Sequence, residues 1–151
     1  MTIEYTTHNL DETLKFAQSI GKQLHGGEVI ELVSDLGGGK TSFTKGLVQG
    51  AGSKDTAKSP SFTLENEYTA NDLIIHHLDF YRLEDPGTMS NMLEESISDL
   101  KSVTVIEWAG IVEDVLPASR LRIEILSPGE NDRIFKIDYP ESYSYLLNLT
   151  S

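Results

Sequence analysis

The chain has 151 residues, 38% of them hydrophobic, and 24 acidic against 12 basic side chains, giving a formal charge of −12 with no cysteine. That length and apolar content suit one compact domain spanning residues 1–151, and the acidity excludes a broad nucleic-acid surface of its own, leaving any RNA contact local or through a partner. Disulfides and thiolate metal sites are excluded outright; with no run near the ~18 apolar residues of a membrane span and no signal-peptide pattern, a soluble cytoplasmic protein is expected.

Thr2 to Thr7 alternates weakly, with Ile3 and Tyr5 on one face, and predicts an edge strand. Asn9 is placed to cap a helix and Glu12 to reach back as its capping-box carboxylate. Leu10, Leu14, Ala17, Ile20 and Leu24 follow at helical spacing until Gly26-Gly27. Val29 to Val33 reads as the first buried strand, and Thr41 to Ala51 as a helix with Phe43, Leu47 and Val48 facing inward.

Between that strand and that helix lies Ser34-Asp35-Leu36-Gly37-Gly38-Gly39-Lys40-Thr41, which has the composition and placement of a phosphate-binding loop. Glycines without Cβ atoms let successive backbone N–H groups turn inward around a phosphate, and the helix start adds its positive end. Lys40 is then placed to reach the β- and γ-phosphates of a nucleoside triphosphate, and the Thr41 hydroxyl to ligate Mg²⁺. The alternative is a glycine-rich turn that binds nothing. Ser34 stands where the pattern G-x-x-x-x-G-K-S/T begins with glycine; if that position needs a positive φ, serine costs on the order of 1 kcal/mol.

Ser53 to Pro60 is polar and punctuated, a loop free to fold over the phosphates as a lid. Phe62 to Tyr68 and Leu73 to Phe80 read as a β-hairpin joined by Thr69-Ala70-Asn71-Asp72. After the break at Glu84-Asp85-Pro86-Gly87, the residues Met89, Met92, Leu93, Ile97 and Leu100 mark an amphipathic helix. Val103 to Trp108 predicts a buried strand, Ile111 to Leu116 a short helix stopped by Pro117, and Leu121 to Ile137 a second hairpin. A last short helix is expected from Glu141 to Leu149. Together these elements predict an α/β fold: a P-loop NTPase-like domain with a mixed central sheet, an inserted β-hairpin and flanking helices.

Hydrolysis of a nucleotide needs carboxylates near the metal as well as a loop. Asp79 ends one strand-like run, and Glu107 is a lone carboxylate inside another, where burial without a partner is expensive and a metal or its water would satisfy it. The competing readings are a turn or cap role for Asp79 and a core arginine as the partner of Glu107. His76 and His77 are adjacent on a strand, face opposite sides, and are read as structural. Ser59, Ser61 and Thr63 place hydroxyls beside the lid, either to sense the γ-phosphate or as ordinary turn chemistry around Pro60.

The succession of Asp35 to Thr41, Lys58-Ser59-Pro60-Ser61-Phe62-Thr63-Leu64, Glu67-Tyr68, His77-Leu78-Asp79-Phe80-Tyr81-Arg82-Leu83 and Ile106-Glu107-Trp108 resembles the TsaE (YjeE) ATPases of bacteria. The resemblance implies an ATPase needed, with TsaB and TsaD, for the threonylcarbamoyladenosine modification of tRNA position 37. It implies ATP and Mg²⁺ as ligands, tRNA reached only indirectly, and no membrane or DNA partner. Gly37, Gly38, Gly39, Lys40, Thr41 and Ser42 are then expected around the phosphates and Thr41, Glu107 and Asp79 around the metal. Ser59, Ser61 and Thr63 are expected in a switch, Trp108 beside the site, and Leu10 and Arg133 beside the nucleotide. The chain departs from the family pattern at Ser34 for glycine, Gly38 for alanine, Ser61 for threonine and Gly110 for glutamate. A small-molecule or nucleoside kinase and a nucleotide-sensing module without turnover are the competing classes. Phosphate release without an acceptor separates the first reading from both.

Overall fold

The computed structural model describes residues 1–35, 38–55, 65–81 and 87–148. Seven strands among them form one sheet: β1 (Thr2–Thr7), β2 (Val29–Val33), β3 (Glu65–Ala70), β4 (Leu73–Asp79), β5 (Ser102–Glu107), β6 (Leu121–Leu126) and β7 (Arg133–Asp138). Their order is β1-β7-β6-β2-β5-β4-β3. The inner strands β6, β2, β5 and β4 run parallel, while β1, β7 and β3 pair antiparallel at the two flanks. Among the described residues three α-helices pack on this sheet: α1 (Leu10–Gly21), α2 (Lys40–Gly50) and α3 (Thr88–Ser98).

The sheet carries a core on each face, which explains the sequence of its central strands. Phe16 and Ile20 of α1 and Phe43 and Leu47 of α2 meet Ile75, Val105 and Phe135 on one side. Leu78, Phe80 and Ile106 meet Met89 and Leu93 of α3 on the other, together with Val112 and Leu116. All six residues of β5 are therefore buried, so it reads as a continuous run, whereas β6 buries only alternate positions. Phe16, Phe43 and Phe135 form a tilted aromatic cluster with centroids 4.8 to 6.1 Å apart. The α1 and α2 helices approach so closely that a Cβ at Gly21 would lie 2.1 Å from the Leu47 carbonyl oxygen.

Local chemistry sets the helix ends. The Asn9 side chain accepts from Glu12 N at 2.9 Å, while the Glu12 carboxylate accepts from His8 N at 2.9 Å, one residue earlier than a reciprocal capping box. The helix then stops at Gly21 rather than at Gly26-Gly27. Tight turns through Gln23 N to Ile20 O and Leu24 N to Gly21 O keep Leu24 in the core without a further helical turn. Ala17 and Ile20 face inward as their spacing predicts, Phe16 joins them in the core, and Leu10 is 60% exposed. Likewise α3 ends at Ser98, and Leu100, expected on its buried face, is 81% exposed.

The β3–β4 hairpin has a two-residue loop, Asn71-Asp72, in which Asn71 takes φ 55°, a conformation asparagine tolerates. The expected strand start at Phe62 lies outside the described residues. Of the two expected short helices, the one read at Ile111 to Leu116 is a 3₁₀ segment at Ala109–Val112, followed by turns that bury Leu116, and the other is a 3₁₀ segment at Glu141–Leu147. The second anchors the chain end: Tyr145 OH donates to Glu28 Oε2 at 2.6 Å, and Val29 N donates to Tyr143 OH at 3.1 Å. Glu28 is buried and also accepts from His25 N and Gly26 N. Burial, and then the Glu28 carboxylate it touches, push the Tyr145 phenol far above its ordinary range.

Candidate functional site

Parallel strands β2, β5 and β4 end side by side, and their carboxyl ends carry the chemistry. Leu32 pairs with Glu107, and Glu107 with Asp79, so Glu107 stands beside the strand that feeds the glycine loop and Asp79 one strand further along the same sheet edge. Gly39 caps α2 with φ 108°, a conformation that favours glycine and lets the loop turn directly into the helix. The Lys40 ammonium folds back over the loop, donating to Ser34 Oγ at 3.0 Å and to the Ser34 and Asp35 carbonyl oxygens at 3.3 Å each. It also lies 5.0 Å from the centroid of Trp108.

Ser34 does not have the positive φ that would strain it; its hydroxyl is instead one of the acceptors that hold the lysine. Trp108 does carry strain, with φ 57° and ψ 52° immediately after β5. Its ring packs on Tyr81 at 4.8 Å and borders two openings, one of about 560 Å³ with Ser34, Asp35 and Gly38, the other of about 180 Å³ with Lys40 and Gly110.

Glu107 is not a lone carboxylate. Its Oε2 is hydrogen-bonded to Nε2 of His77, which is fully buried, and His77 Nδ1 has no hydrogen-bond partner among the described residues. A buried Nδ1 without an acceptor is least costly as a bare lone pair, so the Nε2–H tautomer donating to Glu107 fits the site. Sequence reasoning read His77 as structural; the missed signal was its spacing to Asp79, since residues two apart on a strand share a face. The core arginine weighed as a partner for Glu107 pairs with another carboxylate, Arg120 Nε donating to Glu31 at 2.9 Å.

Asp79 is 3% exposed and accepts from Tyr81 N at 2.8 Å, so the turn role weighed for it is present. Burial pushes its carboxyl up, the Tyr81 N–H pulls it down, Glu107 pushes it up, and His77 and Lys40 pull it down, with a net rise. Lys40, Asp79, Glu107 and His77 thus form one electrostatic group. Thr41 lies exposed in the first turn of α2, with Ser42 after it. Leu10 and Arg133, far apart in sequence, line a common cleft of about 190 Å³ with Thr13, Gly39 and Ser42. The Arg133 guanidinium is fixed there by Nη1 donating to the Asp132 carbonyl oxygen at 2.7 Å. Gly37, Ser59, Ser61 and Thr63 lie outside the described residues. Glu65, Glu67 and His76 gather donor atoms within 4.8 Å of one another, on the side of β4 opposite to His77.

A mixed α/β sheet with a parallel centre, a glycine-rich strand-to-helix loop, a lysine opening the helix, and acidic residues at strand ends on the same edge defines a P-loop-like fold. The comparisons narrow that class. The family model for "Threonylcarbamoyl adenosine biosynthesis protein TsaE" matches residues 7–135. The tRNA threonylcarbamoyladenosine biosynthesis protein TsaE of Bacillus subtilis is 37% identical over 131 residues, which is 87% of this chain and 82% of that one. The protein of the same name from Haemophilus influenzae is 37% identical over 113 residues, 74% of this chain and 71% of that one. The crystal structure of Bacillus subtilis YdiB superposes with a TM-score of 0.75 at 30% identity, covering 97% of this chain and 92% of that one. The chain belongs to the TsaE family.

Proposed function

We propose that the chain is a slow, partner-regulated ATPase that supports the threonylcarbamoyladenosine modification of tRNA together with TsaB and TsaD, in the cytoplasm. Family membership supports the pathway. The observation that carries the ATPase reading is the convergence of Lys40, Asp79 and Glu107 at the mouth of the glycine loop.

These residues fit a nucleotide polyphosphate with its Mg²⁺. The Lys40 ammonium already rests on three oxygen acceptors, so phosphate oxygens replace like with like. Gly38 and Gly39 bring the backbone to the phosphates, and the start of α2 directs its N–H groups at them. Mg²⁺, when bound, neutralises charge on the phosphate oxygens. Thr41 and Glu107 are the residues to hold it, with Asp79 beside them. His77 fixes the Glu107 carboxylate by its hydrogen bond, so the carboxylate needs little reorganisation. Asp79 would orient the attacking water. Leu10 and Arg133 wall the cleft next to Gly39, on the side for the nucleoside.

The residues from Ser53 to Thr63 serve as the nucleotide switch, with Ser59, Ser61 and Thr63 sensing the γ-phosphate. A segment ordered by one nucleotide state couples nucleotide and partner binding by one and the same free energy. At a formal charge of −12, contact with tRNA runs through the partner. The experiment is phosphate release from Mg-ATP, measured alone and with the TsaB–TsaD complex, and titration onto that complex with ATP, ADP or neither. Slow release alone, faster release with the complex, and affinity that depends on nucleotide are expected. No release under any condition, or equal affinity in all three states, contradicts the proposal.

A further inference from the structure

The glycine loop contains a contact that ties two of its positions together. A Cβ built on Gly38 would lie 2.6 Å from Ser34 Oγ, 2.9 Å from Ser34 Cβ and 3.0 Å from the Asp35 carbonyl oxygen. Gly38 itself has no positive φ, so its backbone alone would accept a side chain. Ser34 supplies the two closest obstructions, and the Asp35 carbonyl oxygen leaves a smaller one that must give by a few tenths of an ångström. Turning its hydroxyl aside does not make room, because the Cβ stays, and because Oγ is engaged twice, donating to the Asp35 carbonyl oxygen at 2.9 Å and accepting from Lys40 Nζ at 3.0 Å.

We propose that Ser34 and Gly38 are one coupled device: the missing side chain at 38 makes room for the Ser34 hydroxyl, which positions the Lys40 ammonium over the loop. Ser34 is thereby a positioning residue for the phosphate-binding lysine. A loop with glycine at 34 and a side chain at 38 packs the same space the other way round, but leaves Lys40 one acceptor short. The consequence for ligand is specific to nucleoside di- and triphosphates, because Lys40 must leave Ser34 to reach the phosphates; that consequence rests on the function proposed above.

The test is a set of variants of the full chain: Ser34→Gly, Ser34→Ala, Gly38→Ala, and Gly38→Ala combined with each change at 34. In thermal melts without nucleotide, Gly38→Ala should lower the melting temperature in the parent. It should do so far less on Ser34→Gly and remain costly on Ser34→Ala, whose Cβ persists. Trp108 is the sole tryptophan and has the Lys40 ammonium above its ring, so it reports where the lysine rests. Ser34→Ala should shift its emission in the nucleotide-free protein, and should shift nothing in a Lys40→Met background. For Mg-ADP, Gly38→Ala should weaken affinity about tenfold, and Ser34→Gly should restore most of that loss, a coupling within the range seen for residues in contact.

Additive melting temperatures, or an emission shift that persists without Lys40, would overturn the coupling. A parent protein that takes up no nucleotide refutes the proposed function instead, and the nucleotide-free melts and emission still decide the pair.

Discussion

Glu107→Gln separates a functional carboxylate from a structural one, because the two roles move stability in opposite directions. The substitution keeps a hydrogen-bonding group for His77 Nε2 and nearly the same volume, but removes a buried charge next to Asp79, its register partner. Neighbouring parallel strands lie about 4.8 Å apart, so two carboxylates extending from paired positions ~5.5 Å apart repel by about 3 kcal/mol at an effective dielectric of ~20. The Lys40 ammonium and the Tyr81 N–H already offset part of that at Asp79. A net gain on the order of 1 kcal/mol is expected, raising the melting temperature of the nucleotide-free protein by about 2–4 °C for a chain of this size. With Mg-ATP the balance reverses: loss of the carboxylate proposed to hold the metal should slow phosphate release by roughly 10²-fold and shrink the stabilisation that Mg-ATP gives over ATP with EDTA. Melting curves under those two conditions, paired with phosphate release, measure both effects. A Gln variant that melts lower than the parent yet binds and hydrolyses Mg-ATP normally would refute the reasoning and leave Glu107 as a partner of His77 alone.

Asp79→Asn keeps the acceptor for Tyr81 N and tests the raised Asp79 carboxyl. Because its folded value lies above 3.8, the stability linked to its protonation is complete below that pH and lost as pH rises through the folded value. Asn should therefore stabilise the nucleotide-free protein at pH ~7 and lose that advantage below pH ~4; an equal gain at both pH values would contradict it. Tyr145→Phe removes the hydrogen bond to buried Glu28 and should cost about 1.5–3 kcal/mol in urea unfolding at neutral pH. Since the folded phenol is raised from 10.0, that contribution is complete below pH 10 and is lost progressively as pH rises from 10 through the folded value. A cost that is the same at pH 7 and through alkaline unfolding, or no cost at all, would show that the contact carries nothing. Gly21→Ala places a Cβ against the Leu47 carbonyl and should destabilise by about 1–3 kcal/mol without altering nucleotide affinity in the folded protein; a neutral substitution would mean that α1 and α2 have slack.

Much of this architecture was legible because periodicity and turn chemistry agree with tertiary packing. The alternation in Leu121, Ile123 and Ile125, the continuous apolar run of Val103 to Ile106, and the Asn9 cap each appear where local physics puts them. Helix ends were less legible: Leu24 stays in the core through tight turns instead of helix, and Leu100 continues an apolar spacing beyond the point where α3 stops. Cross-strand partnerships were not legible at all, because register is set by the whole sheet. Glu107 looked unpartnered until β4 and β5 were aligned, which brought His77 within reach. The same holds for Ser34 and Gly38, which read as two separate departures from a loop pattern and meet in the fold. Leu10 and Arg133, tied to the nucleotide only through family resemblance, share a cleft because β7 begins beside the start of α1.

Lys40 is the residue proposed to take the phosphates, and calorimetric titration of Mg-ATP into the parent and into Lys40→Ala tests that role most directly. A charge-assisted hydrogen bond to phosphate is worth about 1.5–3 kcal/mol, so affinity should fall by roughly 10- to 150-fold while the variant keeps the circular dichroism of the parent. Equal affinity in a folded Lys40→Ala protein would contradict the assignment of the loop.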